Sequence, residues 1–115
     1  MNFRIKVFRT AVREVDEILD WFIRRQKAPA GAEAWYRAYN AAMAKLRTIA
    51  DRQSLAPEDE LVDFDVRQLL FKTRRGKRFY RIVFTIVDDQ VRVMHVRGPG
   101  QDLIPPERLI PGDGT

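Results

Sequence analysis

Residues 66–97 read VRQLLFKTRRGKRFYRIVFTIVDDQVRVMHVR, and this stretch decides the fold class. It holds three runs, Val66 to Lys72, Phe79 to Val87 and Val91 to Arg97, dense in β-branched and aromatic residues, the side chains that fit a pleated, half-buried surface. Turns carrying Gly76 and the pair Asp88-Asp89 separate them. Connections this short imply an antiparallel meander of three strands. In the middle run Tyr80, Ile82, Phe84 and Ile86 share one face, so Arg81 must point to the other.

Toward the N-terminus, Phe3-Arg4-Ile5-Lys6-Val7-Phe8 alternates apolar and basic residues for most of its length, the period of a fourth strand with Phe3, Ile5 and Val7 facing inward. Thr10 is a candidate cap for a helix whose apolar positions are Val12, Val15, Ile18, Leu19, Phe22 and Ile23, with Arg13, Glu14, Asp16, Glu17 and Asp20 elsewhere. This helix is expected to end near Arg25 or Gln26. Pro29 suits the first turn of a second helix, in which Ala32, Trp35, Tyr39, Ala42, Leu46 and Ile49 follow at spacings of three and four. The short link makes the two an antiparallel hairpin. Residues 53–65, with Pro57, lack a period and read as a mobile loop or crossover. The tail from Gly98, rich in proline and glycine through Gly114, is expected to cap the sheet edge or to fray. The order is β-α-α-β-β-β: an α+β domain, a helical hairpin packed on one face of a small antiparallel sheet.

A chain of 115 residues, 45% of them hydrophobic, makes one domain, 1–115, with one modest core. There is no cysteine, hence no disulfide framework and no thiolate site, and neither a metal nor a cofactor is expected. The N-terminus lacks a secretory apolar run and no segment approaches membrane-spanning length, so the chain reads as cytoplasmic, away from membranes. The net charge of +5 favours anionic partners. Its distribution is informative. Asp51, Glu58, Asp59, Glu60, Asp63 and Asp65 face a single base, Arg52, in 51–65, whereas 66–87 holds Arg67, Lys72, Arg74, Arg75, Lys77, Arg78 and Arg81 with no acid.

The element order, with the phrases Thr10-Ala11…Asp16-Glu17-Ile18, Val66-Arg67-Gln68-Leu69-Leu70, Tyr80-Arg81-Ile82-Val83-Phe84 and Val93-Met94-His95-Val96-Arg97, resembles the RelE/ParE toxin superfamily over roughly residues 3–100. The resemblance implies the toxin of a type II toxin–antitoxin (plasmid stabilisation) system, a growth inhibitor held inactive by an antitoxin segment draped over its surface. Targets diverge within the family: RelE-like members cut messenger RNA on the ribosome and ParE-like members poison DNA gyrase, so fold alone does not set the chemistry.

By resemblance, Arg81 matches an arginine that contacts the scissile phosphate in the ribonuclease branch, and Arg67 a basic catalytic position. The alternative for Arg81 is an ion pair with the acidic 51–65 segment. Metal-free RNA cleavage also needs proton carriers. His95, the single histidine, is one candidate, alone or with Glu58 or Glu60; the alternative is a hydrogen-bonded packing residue. Two departures argue against the ribonuclease branch. Leu69 stands where many of its members have a second base, and Gln101 where an arginine precedes a tyrosine, with no tyrosine after Tyr80. Arg97 ends the last strand, facing a partner or solvent. Lys72, Arg74, Arg75, Lys77 and Arg78 crowd one turn beside Phe71, Phe79 and Tyr80, a surface suited to a nucleic-acid backbone or to simple solvation. Trp21, Trp35, Tyr36 and Tyr39 read as packing residues, with Tyr36 or Met43, if exposed, marking a partner patch. No phosphate loop, zinc-protease motif or nucleophile elbow is present.

Three readings stand. The first is a ParE-like toxin that binds and inhibits DNA gyrase, with Arg67, Arg74, Arg75, Lys77, Arg78, Arg81 and Arg97 facing target or antitoxin, and Arg67, Arg81 and Arg97 the principal exposed cations. The second is a ribosome-dependent endoribonuclease with Arg67, Arg81 and His95 catalytic and the ribosome and messenger RNA as partners. The third is an inactive relative or interaction module. An antitoxin partner would offer apolar and acidic residues by charge complementarity, in a dimer or heterotetramer.

Overall fold

In the computed structural model, which describes residues 2–112, the meander forms as read: β2 (Arg67–Phe71), β3 (Tyr80–Val87) and β4 (Gln90–Arg97) pair antiparallel in sequence. The first strand, β1 (Arg4–Val7), docks on β4 and runs parallel to it, with Ile5 opposite Val91 and Val7 opposite Val93. The four-stranded sheet has the order β1-β4-β3-β2 and is mixed rather than wholly antiparallel. A parallel neighbour needs a long crossover. The helical hairpin between β1 and β2 supplies one, and nothing in the composition of so short a strand fixes its direction.

Helix α1 (Arg9–Asp20) begins directly after Phe8, which has extended backbone and makes no side-chain cap, so Thr10 lies inside the first turn and does not cap it. A π-helical turn, Trp21–Arg25, continues it to the expected end. Its inward stripe is Ala11, Glu14 and Val15, with Ile18, Leu19 and Phe22 packed alongside. Val12 and Ile23, expected inside, face out. The wider π turn shifts the side-chain phase, leaving Phe22 against the core while Trp21 and Ile23 turn to solvent. Helix α2 (Pro29–Ile49) carries its proline in the first turn and buries Ala32, Trp35, Tyr39, Ala42 and Leu46, as the spacing predicts. Trp35 stacks on Tyr39 at 5.5 Å and meets Tyr80 edge-on, tying α2 to the start of β3.

Both helices lie on the face formed by Ile82, Phe84, Val91, Val93 and Val96. On β4 that set skips from Val93 to Val96 because a bulge interrupts the ladder, Val83 facing His95 while Phe84 faces Val93. The extra residue, Met94, swings to the opposite side. There a second core gathers Phe8, Ala56, Val66, Val83, Met94, Ile104 and Leu109. Two segments expected to be mobile or frayed cover this side. The 53–65 segment is fixed by backbone bonds from Ala56 N–H to the Val66 carbonyl and from Gln68 N–H to the Ser54 carbonyl, and the tail inserts Ile104 and Leu109. Residues 113–115 of the tail fall outside the described residues. No described helix is long and apolar enough to cross a membrane.

Candidate functional site: buried ion pairs beside a basic trough

Arg81 leaves β3 on the side away from the helices, as its alternation requires, and there meets Glu58. The Pro57–Leu61 3₁₀ turn carries this carboxylate, which has no exposed surface. Arg81 Nη1 and Nη2 donate to Glu58 Oε1 and Oε2 at 2.7 and 2.5 Å, with Gln68 Oε1 at 3.2 Å. Ile104 N–H donates to Glu58 Oε2 at 3.0 Å. Burial pushes the Glu58 carboxyl up, but the bonds from Arg81 and Ile104 outweigh it and hold the group down at about 2. The alternative reading of Arg81, an ion pair with the acidic segment, is the observed geometry.

Arg67 sits opposite Phe84, and Leu70 opposite Arg81. Partners in an antiparallel ladder share a face, so Arg67 and Arg81 leave the sheet on opposite sides. Arg67 Nη1 donates to the Gln53 carbonyl at 2.6 Å. His95 is buried between α1 and the tail, its Nδ1 at 3.1 Å from Glu14 Oε1 and its Nε2 at 2.7 Å from the Arg108 carbonyl. A carbonyl only accepts, so Nε2 is the donor to Arg108. Glu14 Oε1 also accepts from Val96 N–H at 3.0 Å, and Glu14 Oε2 lies 3.8 Å from Arg97. Arg97 Nη2 donates to the Asp102 carbonyl at 2.8 Å. Arg67 and Arg81 are thus engaged by the 53–65 segment from opposite sides of the sheet and His95 by α1 and the tail, and no hydrogen bond joins any two of them among the described residues. The expectation that Arg67, Arg81 and Arg97 are exposed cations fails: their side chains are 26%, 16% and 11% exposed.

The turn 72–78 is the opposite case. Lys72, Arg74, Arg75, Lys77 and Arg78 are all exposed and make no ion pair or side-chain hydrogen bond among the described residues. At Gly76 a Cβ would meet the Thr73 hydroxyl, so a larger residue requires that side chain to turn away. Between this turn, the π turn and the end of β4 lie two hollows. One, of about 600 Å³, runs between Arg13, Ile18 and Trp21 on the helical side and Val96, Gly98 and Arg108 on the other. The second, of about 440 Å³, reaches Arg75 and Lys77. Trp21, Arg78 and Tyr80 line both, making one trough with an apolar floor and a basic rim. Trp21 is 45% exposed, and Tyr36 and Phe79 are similarly open. Sequence reading missed Glu14, Trp21, Arg13 and Arg108. Only Glu14 left a signal, one position before Val15 on the inward stripe, where a charge demands a partner.

The chain has a ParE/RelE-like toxin fold. A solved chain described as "Chromosomal ParDE TA system from P. aeruginosa" shares it with a TM-score of 0.65 and 18% sequence identity, over 84% of this chain and 96% of that one. No protein-family model matches the sequence, and no curated protein matches it. At this identity the likeness is one of fold.

Proposed function

We propose that this protein is the toxin of a type II toxin–antitoxin pair, ParE-like in action: a cytoplasmic inhibitor of DNA gyrase that works by binding and is restrained by a cognate antitoxin. The observation that carries the reading is the contrast between its two sets of cations. Arg67, Arg81 and His95, which RNA cleavage would require free and convergent, are each satisfied inside the molecule. Arg75, Lys77 and Arg78 line an open trough, Arg74 is exposed in the same turn, and none of the four has an ion pair among the described residues. Side chains held apart by separate internal hydrogen bonds do not converge on one scissile phosphate, whereas exposed cations serve steering and docking. The ParDE-system fold likeness supports placing that docking within a toxin–antitoxin pair.

The test is induced expression of this chain alone in bacterial cells, following growth, gyrase supercoiling and messenger-RNA integrity together. Growth arrest with lost supercoiling and intact message is the expected outcome. Cleaved message would replace this reading with the Arg67, Arg81 and His95 ribonuclease, and normal growth would leave an inactive relative or interaction module.

A further inference from the structure

Four arginines, Arg13, Arg78, Arg97 and Arg108, line the larger hollow together with Trp21. We infer that this hollow binds a small aromatic phosphate monoester of the nucleoside monophosphate class, with the phosphate among the arginines and the base stacked on Trp21. Such a ligand goes beyond the reading of the chain as a gyrase inhibitor and does not depend on it.

Charge selects the anion. Two carboxylates, Glu14 and Glu17, share the wall with the arginines. Glu14 is occupied by His95 and the Val96 amide, and Glu17 lies 3.9 Å from Arg13 on the exposed helix surface, a pair of little worth in water. Four guanidinium groups against two carboxylates leave an excess of two positive charges. A terminal phosphate carries about −1.5 to −2 near pH 7, whereas each link of a nucleic-acid backbone carries a single charge. The excess therefore suits the end of a small molecule better than a segment of polymer.

Arg97 is the fixed member of the set. Its Nη2 donates to the Asp102 carbonyl at 2.8 Å, while its Nη1 stands 3.8 Å from Glu14 Oε2, too far for a hydrogen bond. A guanidinium so held has lost its freedom before a ligand arrives, yet keeps a donor to offer, which is the condition of a preorganised anion site. The contacts of His95 with Glu14 and with the Arg108 carbonyl draw α1, the end of β4 and the tail together. Arg13, Arg97 and Arg108 thus approach one end of the hollow from three separate elements.

The other end suits a flat ring. Trp21, Arg78 and Tyr80 stand there, where the larger hollow meets the smaller. Trp21 is exposed, and its edge-on contact with Phe22 at 5.1 Å covers at most one face of the indole, leaving the other for stacking. The Tyr80 hydroxyl makes no hydrogen bond among the described residues. Burial raises this phenol above its ordinary value, so it stays protonated and can donate to a nitrogen or carbonyl of the base. The volume, about 600 Å³, lies within the roughly 300–1,000 Å³ of small-ligand sites.

The probe is adenosine monophosphate, titrated into the whole protein by calorimetry, with quenching of tryptophan emission as a second readout. Trp35 has no exposed surface, so quenching by a stacked base reports Trp21. One saturable site is expected. Arg13→Ala, Arg108→Ala and Trp21→Ala should each weaken it about tenfold or more, since a charge-assisted contact or a stacked base is worth a factor of that order. Trp21→Phe should keep most of the affinity in calorimetry. Arg74→Ala, in the basic turn but outside the hollow, should bind as the parent does, and adenosine, which lacks the phosphate, at least tenfold more weakly. Equal affinity for adenosine, equal binding in Arg108→Ala and the parent, or no saturable binding would overturn the inference. So would displacement of the nucleotide by a lower concentration of an oligoadenylate without terminal phosphate, which would make the hollow a polymer surface. None of these measurements involves gyrase, message or growth, so the functional reading stands or falls separately.

Discussion

A carboxylate with no contact to water is tolerable only when hydrogen bonds replace its lost hydration, and Glu58 meets that condition through Arg81 and the Ile104 amide. Removing it strands the Arg81 guanidinium. Glu58→Ala should therefore cost about 3–5 kcal/mol in denaturant unfolding, while Glu58→Leu combined with Arg81→Met should cost much less than the two single changes together. Additive losses would mean that the pair is not a unit. The same bond sets an acid limit. The carboxyl sits at about 2 in the folded chain against an ordinary 4.5, so the folded state binds this proton less tightly than the unfolded one. Its contribution is fully present above about pH 5 and is lost as pH falls toward 2, amounting to about 3 kcal/mol over that window. Unfolding free energies measured across that range should drop for the parent and lose this component in Glu58→Gln.

The break between α1 and α2 turns on one backbone position. Lys27 lies at φ 48°, in the left-handed region that a residue with a Cβ occupies at a cost of about 1–2 kcal/mol. Lys27→Gly should raise stability by several tenths to about 1 kcal/mol, part of the relief being offset by the greater freedom of glycine when unfolded. A thermal midpoint that falls instead would place Lys27 elsewhere in φ. The tail is the other informative element. Ile104 and Leu109 are buried against Val83 and Met94, so Ile104→Ala should cost about 2–5 kcal/mol and speed amide exchange along the second face of β3. The meander and α2 were legible because alternation and 3.6-residue spacing are imposed by burial on one face. The tail was not: Leu103-Ile104-Pro105-Pro106 has no period, and its prolines suggest fraying until the Ile104 amide is seen bonded to Glu58. Glu14 left no mark beyond its place beside Val15, for a related reason. A buried acid looks like a solvent-facing one until its partners, His95, Val96 and Arg97, are brought to it by the β4 bulge. Of the candidate site, the basic turn was legible as a run of charge, but the trough was not, since Trp21 owes its exposure to a π turn that leaves no mark in the residue pattern.

At the scale of the whole chain, charge is arranged along the sheet edge. The acidic 51–65 segment ends where β2 begins, and the basic turn starts where β2 ends, so five residues of strand hold Asp65 about 17 Å from the basic turn, while Glu58, which reaches back along the sheet, is neutralised by Arg81. That distance exceeds the roughly 8–10 Å over which physiological salt screens exposed charge, so the basic end acts on an approaching partner with little interference from the acidic flank. Such a field orients an acidic partner before contact and raises its association rate more than it slows departure. For an antitoxin segment carrying acidic residues, raising the ionic strength from low to well above physiological should cut the association rate by about tenfold or more and change the dissociation rate far less. Arg75→Glu with Lys77→Glu should lower the low-salt rate and flatten its salt dependence, whereas Arg52→Glu, beside the acidic segment, should do neither. Stopped-flow mixing with Trp21 as reporter separates the two rates. An association rate indifferent to salt would mean that the apolar floor, rather than the basic rim, governs encounter.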